Sequence, residues 1–394
     1  MATVTACPFC YHKIDSSRLW YQCLGKGNKE CKKSIDEARE KLTGSTRETF
    51  HSFAPPPDKA TGPANCPECG GRTNLRACPE CHTALPSDFA DSRSPMLGLV
   101  GSKGSGKTVL MTVLARQLKD TVGKRFDASI RLATDNPDGH QGLSDYQANR
   151  ENPLYRDRRL PLATNQIATG RRAAPLLLRW QQEAKSLIGK TTVKSTLLSF
   201  IDTAGEDLND VSTAFTLQYL SVCDGLIVIL DPFALPGARS RLNLPDDAVN
   251  VDDDNPLDVV ANITEMLKVE HGVKRGRKIT LPVAVVFTKM DAFFPSLDRG
   301  NPLMTASPGA RAYSNGDGVA VHEHMLALLD DWNALDIDTH MRFNFRDFRY
   351  FGVSALGAEP DYEQRRVAAG GIRPHRVEDP VLWLLSKFGT VQSA

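Results

Sequence analysis

The stretch Gly101-Ser-Lys-Gly-Ser-Gly-Lys-Thr108 decides the fold of this 394-residue chain. It fits the pattern G-x-x-x-x-G-K-[ST], and it lies between an apolar run at 96–100 and a helical pattern from about Gly106 to Leu118. In such a loop the glycines let backbone N–H groups turn towards a phosphate at the positive end of a helix. The sequence therefore predicts a phosphate-binding loop that joins a strand to a helix.

The residues of this loop have distinct expected roles in binding a nucleotide. Lys107 would reach the β- and γ-phosphates, and the Thr108 hydroxyl would ligate Mg²⁺. The residues that would surround the phosphates are Gly101, Ser102, Lys103, Gly104, Ser105 and Gly106.

Apolar runs that suit strands alternate with helical patterns over the rest of the chain. The further runs lie at 175–180, 196–201, 226–230, 282–287 and 349–353. A helix with Pro380 at its first position closes the pattern. The alternation predicts an α/β domain at residues 96–390, a three-layer sandwich with about six mostly parallel strands.

Three polar motifs follow later strands of this predicted sheet. Asp202-Thr-Ala-Gly205-Glu206 follows one strand, and a carboxylate at that place suits Mg²⁺ binding. Thr288-Lys289-Met290-Asp291 follows another, and Ser354-Ala355-Leu356 follows the last. The Asp291 carboxylate can accept hydrogen bonds from a pair of neighbouring N–H donors.

These motifs, each at the carboxyl end of a predicted strand, resemble those of the Ras-like, TRAFAC-class P-loop GTPases. The resemblance implies a P-loop NTPase fold, binding of GTP or GDP with Mg²⁺, and hydrolysis of GTP in a molecular switch. It implies that the guanine base is bound by Thr288, Lys289, Asp291, Ser354, Ala355 and Leu356.

The resemblance also implies roles around the terminal phosphate. In the family a switch I threonine closes on Mg²⁺ and the γ-phosphate, and Thr164 is our choice for it, with Thr169 as the alternative. Asp202 would support the same Mg²⁺ ion as Thr108 and Thr164. The expected catalytic residues are Lys107, Thr164, Gly205 and Glu206.

One departure from the family concerns the residue after the switch II glycine. Many members have glutamine there to orient the attacking water, whereas this chain has Glu206. Ionised glutamate only accepts hydrogen bonds, and its charge would lie near the γ-phosphate. We therefore expect slow hydrolysis unless an arginine assists, either from an activating partner protein or in cis from Arg156, Arg158 or Arg159.

Eight of the nine cysteines precede residue 82 and predict two structural zinc sites. Cys66 and Cys69 with Cys78 and Cys81 form two Cys-x-x-Cys pairs, as in a zinc ribbon. A looser ribbon, in which His12 could replace one ligand, is predicted from Cys7, Cys10, Cys23 and Cys31. The predicted modules are ribbon 1 at 1–50, a proline-rich linker at 51–64, ribbon 2 at 65–85 and a linker at 86–95.

Composition and the N-terminus exclude several classes of protein. A formal net charge of +1 gives the protein no overall electrostatic attraction for a polyanionic partner such as a nucleic acid. No apolar run approaches the roughly 20 residues that a membrane-spanning helix needs. No signal-peptide pattern precedes Cys7. In a reducing compartment, cysteines in Cys-x-x-Cys pairs are more often metal ligands than disulfides. We expect a cytoplasmic protein without a membrane span.

The order of zinc ribbons, linker and Ras-like domain is similar to that of bacterial double-GTPase-type proteins. That family is associated with multiprotein systems, including proposed defence systems, so the resemblance implies a switch whose ribbons dock partner or effector proteins. Two alternatives stay open: a zinc-ribbon adaptor with an inactive GTPase-like domain, and a GTPase associated with nucleic acid. The lysines around Cys31 would suit the second alternative.

Overall fold

The computed structural model describes residues 4–55, 62–102, 104–133, 147–161, 175–185, 191–202, 218–242 and 255–394. The chain forms two compact units. The first comprises Met1–Met96, Arg131–Asp145 and Asn165–Ile201, and the second comprises Leu97–Ile130, Tyr146–Thr164 and Asp202–Ala394.

Short strands and one helix build the cysteine-rich part of the first unit. Among the described residues they are β1 (Val4–Ala6), β2 (Lys13–Asp15), β3 (Trp20–Gln22), β4 (Ser34–Ile35), α1 (Glu37–Thr43), β5 (Glu48–Thr49), β6 (Ser52–Phe53), β7 (Ala64–Asn65), β8 (Arg72–Thr73) and β9 (Arg76–Ala77). Antiparallel pairs form between β1 and β2, β4 and β5, and β7 and β8, while β3 pairs with both β6 and β9. Asp36 caps α1 by accepting a hydrogen bond from the N–H of Arg39, and Gly44 ends it in a left-handed conformation.

Within the part of the chain that the structure describes, the large sheet has seven strands. They are β10 (Met96–Gly101), β11 (Ala128–Leu132), β12 (Leu176–Lys185), β13 (Thr191–Asp202), β14 (Gly225–Leu230), β15 (Val283–Phe287) and β16 (Phe348–Gly352), in the spatial order β11-β12-β13-β10-β14-β15-β16. Neighbours β10, β14, β15 and β16 run parallel, whereas β12 and β13 are antiparallel. The order reverses at β10, and ligands of open α/β sheets bind at the carboxyl ends of strands where the order reverses.

Helices connect the strands of the second unit. Those bounded within the described residues are α2 (Lys107–Gln117), α3 (Gly123–Phe126), α4 (Pro236–Arg239), α5 (Pro256–Glu270), α6 (Asn315–Asp331), α7 (Leu335–Asn344) and α8 (Asp379–Lys387), with π-helical segments at Leu118–Val122 and Gln147–Arg156. Single 3₁₀ turns lie at Pro232–Ala234, Met290–Ala292, Phe294–Ser296 and Pro302–Met304. None of the helices in the described ranges combines the length and the apolar character needed to cross a bilayer.

Burial follows the pattern expected of a parallel sheet covered on both faces. Every residue of β10, β14 and β15 is buried, as the continuous apolar runs predict. The α/β class, the mostly parallel sheet and the cysteine clusters ahead of it are therefore confirmed. The seventh strand, β11, has no counterpart in the prediction, because Ile130 is its only buried residue and the sequence carries no apolar run there.

Candidate functional site

The glycine-rich loop connects β10 to α2 and folds around the ammonium group of Lys107. Lys107 is buried, and its Nζ donates hydrogen bonds of 2.6 Å to the carbonyl oxygens of both Gly101 and Ser102. The Ser105 hydroxyl also donates to the Ser102 carbonyl, at 2.8 Å. The loop therefore closes on itself at the start of the helix, which is the geometry expected of a phosphate-binding loop.

Two glycines of the loop are required by backbone geometry. A Cβ atom at Gly101 would lie 2.2 Å from the carbonyl oxygen of Ile229 in β14, so no larger residue fits beside that strand. Gly104 has a φ of 80°, in the left-handed region that L-residues with a side chain avoid. Gly101 is thus required by the close approach of β14, and Gly104 is required by the left-handed turn of the loop.

Thr288 ties the predicted guanine motif to the phosphate loop. Its hydroxyl donates a 2.8 Å hydrogen bond to the carbonyl oxygen of Ser105, and its N–H bonds to the carbonyl oxygen of Leu230 at 3.1 Å. Both contacts are made at the carboxyl ends of neighbouring strands. Residues that are 183 positions apart in the sequence therefore meet.

Lys289 has a partner that the sequence analysis missed. Its backbone is left-handed, with a φ of 57°, and its ammonium group forms an ion pair with the buried carboxylate of Asp231. The same ammonium lies 4.8 Å from the centre of the Phe233 ring. The sequence does show Asp231-Pro232 directly after the apolar run of β14. A polar residue at the carboxyl end of β14 can reach the residue that follows the neighbouring strand β15, and this was the signal for the ion pair.

Asp291 and Ser354 form the second contact between predicted motifs. The Ser354 hydroxyl donates to Asp291 Oδ1 at 2.5 Å and accepts from the N–H of Gly357 at 2.8 Å. Ser354 is buried, whereas Ala355 and Leu356 are half-buried. The serine thus fixes one carboxylate oxygen of Asp291 in position.

Several predicted site residues have no described position. Lys103, Thr164, Thr169, Gly205 and Glu206 lie outside the described residues, and Asp202 is described as the last residue of β13. Their roles at Mg²⁺ and the terminal phosphate stay predictions.

The cysteines form two tetrads, but their grouping differs from the predicted one. One tetrad consists of Cys7, Cys10, Cys78 and Cys81, and the other of Cys23, Cys31, Cys66 and Cys69. The prediction of one ribbon within residues 1–50 and another within 65–85 is therefore wrong in its pairing. The reason lies in the strands that flank these cysteines. Cys69 lies in the turn between β7 and β8, which pair with each other, whereas Cys78 directly follows β9, which pairs with β3.

Both tetrads have the dimensions of a four-thiolate metal site. Sulfur pairs lie 3.8 Å apart for Cys7 and Cys81, 3.8 Å for Cys10 and Cys78, 3.6 Å for Cys23 and Cys69, and 4.0 Å for Cys31 and Cys66. A tetrahedron with Zn–S distances of about 2.3 Å has S–S edges of about 3.8 Å. The two tetrads could therefore each hold a zinc ion.

Local backbone geometry supports the same interpretation. Each Cys-x-x-Cys pair is followed by a residue with a left-handed backbone: Tyr11 (φ 65°), Gly70 (φ 75°) and His82 (φ 55°). Burial and the neighbouring thiols raise the pKa of Cys7 well above its usual value. Hydrogen bonds from Cys10, Cys7 and Cys78 instead lower the pKa of Cys81 in the same tetrad. A bound metal ion would take all four sulfurs as thiolates.

Histidines accompany the tetrads without completing either of them. His12, the alternative ligand named above, hydrogen-bonds to the Cys10 carbonyl through Nδ1 at 3.1 Å and is not part of a tetrad. His51 lies beside the second tetrad, with Nε2 3.4 Å from Cys66 Sγ and Nδ1 3.5 Å from Glu68 Oε2.

Comparison with known proteins gives one distant full-length relative. No family model matches the chain. The chain is 25% identical over 425 residues to the "Putative ESX-1 scaffolding and assembly protein SaeC" of Mycolicibacterium smegmatis, a match that covers 98% of this chain and 100% of that protein.

Solved structures with partial similarity have TM-scores near 0.3. The signal recognition particle receptor SRb-GTP/SRX complex of Chaetomium thermophilum has a TM-score of 0.29 and 17% sequence identity, and the match covers 68% of this chain and 94% of that chain. The small GTPase Arl6 of Trypanosoma brucei has a TM-score of 0.31 and 14% identity, with 76% of this chain and 99% of that chain covered. The Ski7 GTPase-like domain of S. cerevisiae has a TM-score of 0.31 and 11% identity, with 67% of this chain and 43% of that chain covered.

Proposed function

We propose that this chain is a Mg²⁺-dependent, GTP-binding molecular switch that hydrolyses GTP slowly and acts in the assembly of a multiprotein system. The observation that carries the proposal is the pair of contacts between motifs, Thr288 on Ser105 and Ser354 on Asp291. Together they support a single nucleotide site with a phosphate end and a base end.

At the base end, selectivity for guanine would come from Asp291. The hydrogen bond from Ser354 leaves the second carboxylate oxygen available for a donor on the base. Guanine offers N1–H and an exocyclic amine, whereas adenine offers an acceptor at N1, which a carboxylate repels.

At the phosphate end, Lys107 and the loop N–H groups would bind the β- and γ-phosphates, and Mg²⁺ would be held by Thr108 with support from Asp202 and Thr164. The bound ion would neutralise charge that develops on the transferring phosphoryl group. Gly205 and Glu206 would contact the terminal phosphate, and the carboxylate of Glu206 would make hydrolysis slow.

The zinc tetrads would be structural, because four protein ligands leave no position for a substrate. The M. smegmatis relative is named for scaffolding and assembly, which favours a role of the cysteine-rich part in docking partner proteins. The name gives no support to a role in a defence system. A cytoplasmic location and a partner-supplied arginine remain part of the proposal.

The experiment that tests the proposal is a titration of the zinc-loaded protein with GTP, GDP and ATP in the presence of Mg²⁺. We expect guanine nucleotides to bind and ATP to bind at least about tenfold more weakly, because discrimination by buried hydrogen-bonding groups is large. Asp291→Asn should weaken GTP and GDP binding, whereas the exposed control Asp298→Asn should not. Equal binding of ATP, or no effect of Asp291→Asn, would overturn the guanine assignment.

A scaffold that binds nucleotide without turnover is the second candidate, because the relative is named for scaffolding and assembly. Phosphate release by the GTP-loaded protein separates the two functions. Slow but measurable release, abolished by Lys107→Ala, favours the switch, and no release above the buffer rate favours the scaffold.

A further inference from the structure

One cysteine of the second tetrad is held differently from the other three. Of the eight described tetrad cysteines, Cys31 is the only one that is not buried. It lies in an irregular segment between β3 and β4, where residues 24–33 are mostly exposed. By contrast, Cys23 directly follows β3, and Cys66 and Cys69 lie in the turn between β7 and β8. Cys31 is therefore the ligand that can leave this tetrad with the least disturbance of the strands around it.

His51 lies at the edge of this tetrad at the distance of a metal ligand. Its Nε2 atom is 3.4 Å from the sulfur of Cys66. In a tetrahedral site with Zn–S distances of about 2.3 Å and Zn–N distances of about 2.0–2.1 Å, neighbouring sulfur and nitrogen ligands are about 3.6 Å apart. A nitrogen of the His51 ring, the Cys31 sulfur and a carboxylate oxygen of Glu68 all lie within 4.8 Å of one another. The imidazole thus stands beside the cysteine that is the least firmly held.

Glu68 contacts both the imidazole and the Cys31 sulfur. Its Oε2 atom is 3.5 Å from Nδ1 of His51 and 3.8 Å from Sγ of Cys31. A metal-bound histidine almost always donates its other ring N–H to a carboxylate, a carbonyl or water, and this contact orients the ring. With Nδ1 facing Glu68, the Nε2 atom is left to bind the ion.

Strand pairing fixes the backbone of His51 next to the tetrad. The N–H of Cys23 donates to the His51 carbonyl at 3.0 Å, and β6 begins at the next residue and pairs with β3. The preceding ring, Phe50, packs so closely on Gly25 that a Cβ atom there would lie 2.3 Å from it. The strand pair that places Cys23 in the tetrad therefore also places the histidine.

The other tetrad contains the same Cys-Pro-Glu-Cys motif, at 78–81, but its neighbouring histidines bond elsewhere. His12 bonds through Nδ1 to the Cys10 carbonyl at 3.1 Å. His82 bonds through Nδ1 to a carboxylate oxygen of Asp36 at 2.9 Å. The two identical motifs thus differ in the histidine beside them, because the histidine of the second tetrad contacts a tetrad sulfur, whereas these two contact a carbonyl and a carboxylate.

We propose that His51 is an alternative fourth ligand of the second tetrad, which takes the place of Cys31 when that thiolate is replaced or chemically blocked. Glu68 is the positioning residue that orients the imidazole. Zinc then passes from four sulfur ligands to three sulfurs and one nitrogen, and both ligand sets are usual for structural zinc. The ion stays in place while one thiol at the surface becomes free to react.

The exchange is specific to Cys31. Cys23 and Cys69, whose sulfurs are 3.6 Å apart, form another edge of the tetrad. Among the described residues, the group of ligand atoms around His51 contains neither of them. Loss of Cys23 is therefore not compensated by the imidazole.

The test compares zinc retention by the full chain in Cys31→Ala, in Cys31→Ala/His51→Ala and in the matched control Cys23→Ala, which removes a thiolate from the same tetrad. A chelator is titrated against each purified protein, and the ion of the other tetrad shows that the chain is folded. We expect Cys31→Ala to hold its second ion at least about tenfold more tightly than the double variant and Cys23→Ala do. His51→Ala alone should retain both ions, because four thiolates remain.

X-ray absorption at the zinc edge identifies the new ligand. The natural protein should show four sulfur ligands per ion, and Cys31→Ala should show an average of about 3.5 sulfur and about 0.5 nitrogen ligands over its two ions. Adding Glu68→Gln should weaken the second site of Cys31→Ala by about tenfold to a hundredfold. Adding Glu80→Gln, at the same place in the other Cys-Pro-Glu-Cys motif, should leave that site unchanged.

Three results would overturn the inference. The first is equal loss of the second ion from Cys31→Ala and Cys23→Ala, and the second is retention of that ion by Cys31→Ala without a nitrogen ligand. The third is a natural protein that binds no zinc at the second tetrad. None of these results bears on the nucleotide site, so the proposed function is tested separately.

Discussion

Ser354 shows how one hydroxyl can connect two motifs that are far apart in the sequence. It donates to Asp291 and accepts from the N–H of Gly357, so both of its hydrogen-bonding capacities are used within a buried site. A carboxylate held in this way keeps one oxygen in a fixed direction, which favours recognition of a planar base.

We expect Ser354→Ala to weaken GTP and GDP binding by about tenfold to a hundredfold, since a hydrogen bond to a charged group contributes about 1.5–3 kcal/mol. Both nucleotides should be affected equally, because the contact lies at the base end. The measurement is equilibrium binding of fluorescent GTP and GDP analogues.

The matched control for this variant is Ser296→Ala, which removes an exposed serine whose hydroxyl bonds to the Phe293 carbonyl. It should bind both nucleotides as the natural protein does. A loss confined to GTP, or no loss at all in Ser354→Ala, would show that this serine does not orient the base-binding carboxylate.

For single residues, the sequence indicated which side chains belong to the candidate site better than it indicated which partners they contact. Thr288 and Asp291 are recognisable from their motif, and both make contacts that suit a nucleotide site. The ion pair of Lys289 with Asp231 depends on two parallel strands lying side by side, a relation that no local pattern contains.

At the scale of elements, the crossed cysteine tetrads are the main departure from the prediction. Spacing alone favours pairs that are close in sequence, because short loops cost less entropy to close. Here β3 pairs with β9, with Trp20 opposite Ala77. Because Cys78 follows Ala77 directly, this pairing places Cys78 and Cys81 in a different tetrad from Cys66. Strand pairing therefore overrides sequence proximity.

Double variants distinguish the two groupings by metal content. We expect the natural protein to bind two zinc ions, Cys7→Ser/Cys78→Ser to retain one, and Cys7→Ser/Cys23→Ser to lose both, because the latter breaks each observed tetrad. Zinc per chain is measured by mass spectrometry of the purified proteins.

The sequence-based grouping gives the opposite order, since it places Cys7 with Cys23 in one ribbon and Cys78 in the other. Retention of one ion by Cys7→Ser/Cys23→Ser would therefore contradict the crossed tetrads. The buried Cys223→Ser is the control, because it stands apart from both tetrads and should leave the zinc content at two ions per chain.

Strands of the large sheet could be predicted where they are buried on both faces. The runs that became β14 and β15 are apolar throughout, and their positions agree with the prediction to within one residue. The edge strand β11 has five residues, of which only Ile130 is buried, so hydrophobicity gives it no distinct signal.

At the scale of the whole molecule, a buried charge cluster links α6 to α8. Arg376 is almost fully buried and pairs with Asp317 of α6 and with Asp379, the first residue of α8. The Ser307 hydroxyl donates to Asp379 at 2.5 Å. Burial outweighs the nearby arginine and raises the pKa of Asp379 from 3.8 to about 6.

This raised pKa predicts a contribution to stability that is lost as the pH rises. Between pH 4 and 6 the folded protein holds a proton on Asp379 that the unfolded chain has released, so the free energy of unfolding falls with increasing pH. Asp379→Asn cannot ionise, and its stability relative to the natural protein should rise by about 2–3 kcal/mol from pH 4 to 7.

Urea unfolding at several pH values measures this difference. The exposed control Asp298→Asn should follow the natural protein across the same range. A difference between Asp379→Asn and the natural protein that stays constant with pH would show that Asp379 titrates in the folded protein as it does in the unfolded chain.

The crossed tetrads also have a consequence for the nascent chain. Cys10 and Cys78 are 68 positions apart, so a ribosome that adds about 5–20 residues per second needs roughly 3–14 seconds to supply the second after the first. During the first part of that interval Cys23 and Cys31 are the only other thiols synthesised, because Cys66 and Cys69 follow about 35 residues later. A metal ion captured by these four would have to be surrendered before either tetrad could close, so correct loading depends on when zinc arrives during translation.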